Sequence, residues 1–253
     1  MVSLVVLTTI AVSLGAMRGY SQKDTVKPSP SVQPKSQEED DKKDFPSVDY
    51  ANERIIDEAR KLKSQKYDKY PVLDRDLIED DTVVSYLDWW NSNELLPVSE
   101  SEIVVLGKVV TNEAHLSANK YSVYSEIKIE VEKVFKNSCK DELEDGKYLR
   151  AERDGGIVVF PSGKKIWLFV AGQRMPKIGS RYVFFLTHKF PSFGYRKQEL
   201  FLLTAYELKE GRVFPLDAPY GDTAQITTFY KGKEESVLLN DLQKTLDNPA
   251  APK

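Results

Sequence analysis

Tyr121 to Lys136, YSVYSEIKIEVEKVFK, decides the fold class. Val123, Ser125, Ile127, Ile129 and Val131 fall on one side of a period of two, and Glu126, Lys128, Glu130 and Glu132 on the other. Successive strand residues face opposite ways, so this is a long β-strand with one face buried. The phase slips at Lys133, where Val134 is apolar out of step. One extra residue is a β-bulge, which bends a strand toward closure.

Working outward, Ile103 to Val110 is a near-continuous apolar run and reads as a strand covered on both faces. Lys147 to Arg153 is a further strand. Ile157 to Phe160 and Lys164 to Val170 flank Pro161-Ser162-Gly163, a hairpin signal. Arg181 to Lys189 and Glu199 to Leu208 follow, and Glu210-Gly211 turns the chain into Arg212 to Leu216. Short loops imply antiparallel neighbours. The expected fold is α+β: mainly an antiparallel β-barrel or sandwich, with N-terminal helices and one C-terminal helix covering open edges. The C-terminal helix runs from Glu234 to Leu246, with Val237, Leu238, Asp241 and Leu242 at helical spacing.

Before Pro97 the spacing is near four. Ile55, Ala59 and Leu62 share one helical face between Tyr50 and Lys66, and Val83, Tyr86, Leu87 and Trp90 share another between Thr82 and Leu95. Trp89-Trp90 reads as an anchor of that second helix on the sheet. Gln22 to Ser47 is rich in charge, Ser and Pro and reads as a disordered tether. Val2 to Ala16 is uncharged and apolar, of a length that fits a signal peptide better than a bilayer span, although no basic residue precedes it. The domain plan is 1–21 signal peptide or N-terminal anchor, 22–47 tether, 48–97 helical segment, 98–220 β-domain and 221–253 helix and tail.

Composition narrows the chemistry. The 253 residues carry a net charge of −3, which gives no global attraction for nucleic acid. The single cysteine, Cys139, cannot form an internal disulfide and reads as a part-buried thiol. His115 and His188 flank strand ends without a second ligand at metal spacing. Ser117…Lys120 and Ser162…Lys165 match Ser-x-x-Lys but sit in turns, not at helix starts. Asp141 to Glu152 partly copies a calcium loop, with Leu143 where an oxygen ligand belongs and a strand at its exit. No cofactor, metal site or catalytic residue is expected.

Leu96-Pro97-Val98-Ser99-Glu100-Ser101, Phe160-Pro161-Ser162-Gly163, Ala171-Gly172-Gln173-Arg174-Met175-Pro176 with Gly179, and Tyr206-Glu207-Leu208 before Gly211 to Asp217 carry a family resemblance. Over about half its length the chain resembles a group of exported bacterial proteins with no assigned function. The resemblance implies a shared β-domain behind a signal peptide, and no reaction. In broad outline the strand order is also similar to oligomer-binding five-stranded barrels and their netrin-like relatives, an analogy of fold alone. Netrin-like domains usually carry disulfides, which Cys139 alone cannot supply.

Candidate ligand-binding residues lie in two places. Arg153 precedes Asp154-Gly155-Gly156, where paired glycines make a tight turn or admit a ligand, and Gln173 and Arg174 occupy a loop that could face a partner. Phe193, Tyr195 and Arg196 belong to a stretch interleaving basic and aromatic residues, suited to carbohydrate or peptide contact or to packing its own rings. The expectation is an exported, non-catalytic binding or assembly module of the cell envelope, periplasmic, secreted or anchored by its N-terminus. Its partner would be an envelope protein or polysaccharide, or a second copy of itself, and the membrane would be touched only through an uncleaved N-terminal segment. The alternative is an envelope-polymer hydrolase using paired carboxylates drawn from Glu126, Glu152 and Glu207.

Overall fold

The computed structural model describes residues 43–51, 58–69, 83–86, 94–139, 142–170, 172–190, 194–195, 200–217 and 228–248. The signal segment, most of the tether and Trp89-Trp90 lie outside these residues. The architecture is α+β and mostly β, with two main sheets and few helices.

The strand decided by its alternation is β4 (Val123–Asn137), paired antiparallel with β3 (Ile103–Leu116). Register shifts at Glu132 and Phe135 bracket Lys133, where the sequence loses phase. Gly107 stands opposite this irregular stretch, and a Cβ there would come 2.6 Å from the Glu130 carbonyl oxygen. Only glycine permits that approach between the strands.

On the other side of β4 lies β5 (Tyr148–Asp154), and on the other side of β3 lies β8 (Arg181–Thr187), both antiparallel. β11 (Leu200–Lys209) pairs antiparallel with β8 and, through Leu200 and Phe201, parallel with β5. The hydrogen bonding therefore returns on itself as β5-β4-β3-β8-β11. The hairpin strand β12 (Arg212–Pro215) attaches to β11 through Tyr206 to Lys209.

A single buried cluster draws on every strand of this ring, including Val105, Ile129, Ala151, Phe184 and Leu202. β3 is covered on both faces, as its sequence requires: Val104 and Leu106 join a second cluster with Leu238 and Leu242 of α2 (Glu235–Asp247). That helix lies on a sheet face and not along an edge. Of its apolar positions Val237 is exposed.

The second sheet has the order β1-β6-β7-β2, from β1 (Ser47–Asp49), β6 (Gly156–Val159), β7 (Lys165–Val170) and β2 (Val83–Tyr86). The β6–β7 hairpin is as expected. β1 and β2 are not: they add parallel edges from the segment expected to be tether and helix. Val83-Val84 is β-branched and Tyr86 aromatic, so four residues satisfy a strand as readily as a helical stripe. Among the described residues before the ring the helix is α1 (Glu58–Gln65), continued as a 3-10 turn over Lys66–Lys69; Leu87 and Trp90 of the second expected helix lie outside them. Among the described residues no helix is long and apolar enough to cross a membrane.

Candidate functional site

The outer face of β4 and β5 carries the first charged cluster. Glu126 and Glu152 stand directly opposite in the β4–β5 register. Alternation turns both away from the ring's apolar cluster, yet both are buried because α1 lies over them. Lys63, Lys66 and Tyr67 stand three and four residues apart, so they leave the helical segment on one side. Lys63 Nζ lies 2.6 Å from Glu126 Oε2 and 3.3 Å from Glu152 Oε1. Lys66 Nζ donates to Glu152 Oε2, and the Tyr67 hydroxyl donates to the same oxygen at 2.6 Å. The Tyr67 and Tyr124 rings stack with centroids 4.1 Å apart. Arg60 donates to His115 Nδ1 at 2.8 Å.

This departs from the expected helix face at Leu62, while Ile55 and the Ala59 side chain lie outside what the structure describes. Leu62 is 57% exposed, while Lys63, Ser64, Lys66 and Tyr67 meet the sheet. A sheet face studded with carboxylates selects a cationic partner surface, because leaving those charges buried and unpaired costs more than exposing one leucine.

The cluster perturbs its own groups. Burial pushes the Glu126 carboxyl up, but Lys63, with smaller help from Arg150 and His115, outweighs it and holds the group below its usual range. Burial likewise opposes the charge on Lys63, and the two glutamates more than restore it. Burial and then Glu152 push the Tyr67 hydroxyl well up.

Asp154, two residues along β5 on the same side, is raised by burial and by Glu152 to about 7. Its folded pKa lies above the unfolded value, so its contribution to stability is present below about 4 and is lost as pH rises to about 7. Asp154→Asn should remove this slope. The difference in urea-unfolding stability between variant and native protein should favour the variant increasingly from pH 4 to 7.5. It should reach at most about 4 kcal/mol, since one unit is worth about 1.4 kcal/mol. A flat difference would refute the assignment.

The second cluster joins three of the six expected ligand-binding residues. Arg153 Nη2 donates to both oxygens of Asp217, at 2.7 and 2.8 Å. Arg153 Nε donates to Gln173 Oε1 at 3.4 Å, and the Arg174 backbone N–H donates to Asp217 at 3.1 Å. Arg153 and Asp217 are both buried. Their position explains the pairing. Along one edge of β11, β5 bonds only to Leu200 and Phe201, and β12 begins at Tyr206, with Leu216 N–H adding a bond to the Ala205 carbonyl. Arg153 follows the last β5 residue in that pairing and Asp217 follows Leu216, so the ion pair spans the gap between two strands sharing one edge. The Arg153 guanidinium is thus spent on the fold, while Gln173 and Arg174 stay part-buried beside it.

Gly155 has φ +109°, and a Cβ on it would meet the Leu168 carbonyl oxygen at 2.8 Å. The glycines after Arg153 serve the close approach of the two sheets. Phe193 and Arg196 lie outside the described residues. Tyr195 is placed only by its backbone, in the short hairpin of β9 (Lys189–Phe190) and β10 (Gly194–Tyr195). Glu207 lies on β11 six residues beyond Phe201, the β11 partner of Glu152, about 20 Å along the strand.

A third group escaped the sequence reading. Asn137, Ile103 and Leu186 pair across β4, β3 and β8, so the residues beside them share one rim. Cys139 Sγ lies 3.6 Å from His188 Nδ1, and the same nitrogen lies 2.9 Å from Glu102 Oε2. Burial pushes the Glu102 carboxyl up, but bonds from the His188 peptide N–H and ring and from Thr187 outweigh it and hold the group below its usual value. The signal was available: three antiparallel neighbours place residues just outside their paired ends together.

A scan against protein-family models finds no match to the chain, and a search of curated proteins finds none either.

Proposed function

We propose that this chain is a non-catalytic β-domain exported to the cell envelope, where it binds or assembles with an envelope protein or polysaccharide, in keeping with the exported bacterial proteins its sequence resembles. The ring is read as a closed five-stranded barrel of the oligomer-binding kind, since its five strands bond in a cycle around one apolar cluster. The carrying observation is the state of the carboxylate pair. Glycoside hydrolysis by two carboxylates needs one protonated acid and a cleft open to the sugar. Glu126 and Glu152 are instead bonded to Lys63 and Lys66 and covered by α1, which favours adhesion of the helix over hydrolysis.

The full chain, incubated with purified peptidoglycan and envelope polysaccharide, should be retained on one of them or captured by a specific envelope protein without releasing reducing ends. Release that disappears in Glu126→Gln would establish the hydrolase reading instead. Failure to bind any of these partners would remove the binding role.

A further inference from the structure

We propose that Cys139 is a reactive thiol, set up by His188 and Glu102, that forms mixed disulfides. The thiolate is the reactive form of cysteine, and a neighbouring ring N–H donor or imidazolium stabilises it. Here Cys139 as a residue is part-exposed at the margin of the ring's apolar cluster, whereas the His188 side chain is only 10% exposed and Glu102 22%. The residue that would react stands at the rim, and the groups beside it are more sheltered. Glu102 fixes the imidazole by accepting from both the His188 peptide N–H and ring Nδ1, which defines Nδ1 as the N–H that also faces the sulfur. Among the described residues two charges, Glu102 and Lys136, bear on this arrangement. The Glu102 carboxylate opposes the thiolate, while the Nδ1–H that it orients faces the sulfur. Lys136 acts on Glu102 electrostatically and donates to the Val98 and Ser101 carbonyls. Each component arrives from a different ring strand, so the grouping exists only in the folded chain.

The chemistry is thiol–disulfide exchange with an external disulfide. Cys139 loses its proton to water, and the thiolate attacks one sulfur of the disulfide. A new S–S bond forms at Sγ and the old one breaks. The electron pair leaves on the departing thiolate, which takes up a proton. Cys139 is oxidised and the departing sulfur is reduced. His188 and Glu102 are positioning residues, because neither touches the incoming disulfide.

The test uses the full native chain with two disulfides, dithiobis(nitrobenzoate) for rates and oxidised glutathione for the adduct. One cysteine per chain makes both readouts unambiguous. At pH 6.5 the folded protein should react about tenfold faster than the same chain unfolded in urea, with the midpoint of its pH–rate profile below the ordinary thiol value of about 8.5. Glutathione should add once per chain. His188→Ala should return the midpoint to the ordinary value, and Glu102→Gln should move it in the same direction by less. If His188→Ala fails to fold, the folded-against-unfolded comparison and Glu102→Gln still decide. A folded rate no greater than the unfolded rate across the pH range, or a midpoint unmoved in the variants that fold, overturns the proposal. This inference does not depend on the binding-module reading.

Discussion

Glu152→Ala should lower stability by about 3–5 kcal/mol, the range for breaking one side of a buried ion pair. Lys66 is 1% exposed at its side chain and Glu152 3%, so neither charge has water as a substitute partner. Removing the carboxylate leaves the Lys66 ammonium facing the Tyr67 and Phe201 rings, with Nζ 5.0 and 4.8 Å from their centroids. It also takes away the carboxylate to which the Tyr67 hydroxyl donates. The pair itself is worth much less than this loss, because forming it desolvated both ions. Lys66→Met with Glu152→Leu should therefore recover most of the stability, leaving a deficit under about 2 kcal/mol. Urea unfolding of the two single variants and the double variant measures the coupling. A Glu152→Ala loss below about 1 kcal/mol, or a double variant as damaged as the single, would show that α1 is not fastened through this pair.

The same cluster marks where sequence reading stops. The alternation of Val123 to Val131 places Glu126 outside the apolar cluster, and it is outside. The alternation alone does not say what stands on that outer face, and there α1 covers it. Periodicity reports which residues share a face and is silent about what lies on that face. For the same reason Ile55, Ala59 and Leu62 suggested a docking stripe, while the structure exposes Leu62 and docks Lys63, Lys66 and Tyr67. The correct signal was charge complementarity between two segments more than 50 residues apart, which no local window contains.

The hairpins were legible because their turns are local. The β6–β7 pair needs only Pro161-Ser162-Gly163 between two β-prone runs, and β11–β12 only Glu210-Gly211. Parallel contacts were not legible, because β1–β6, β2–β7 and β5–β11 join distant segments and leave no turn signature. The rim of Glu102, Cys139 and His188 was withheld by treating each residue alone. Adjacent strand ends would have grouped them once the β4-β3-β8 order was known.

Asp217→Ala should cost about 3–5 kcal/mol as well, by opening the seam where β5 and β12 share an edge of β11. The carboxylate accepts from Arg153 Nη2 through both oxygens and from the Arg174 peptide N–H. Without it a guanidinium with 1% side-chain exposure loses the carboxylate that it grips through Nη2. Asp217→Asn retains one acceptor and should lose about half as much, since bonds to a charged group are worth roughly twice neutral ones. Arg153→Met with Asp217→Ala should fall between native and Asp217→Ala, because the stranded charge is gone. Location separates seam opening from general weakening. Hydrogen exchange at the Leu216 amide, which bonds to the Ala205 carbonyl, should accelerate in Asp217→Ala more than at Ile129 in the middle of β4. Equal acceleration at both amides would mean that the ion pair supports the whole ring and not this junction. Unchanged stability would mean that the short β5–β11 pairing holds the ring without it.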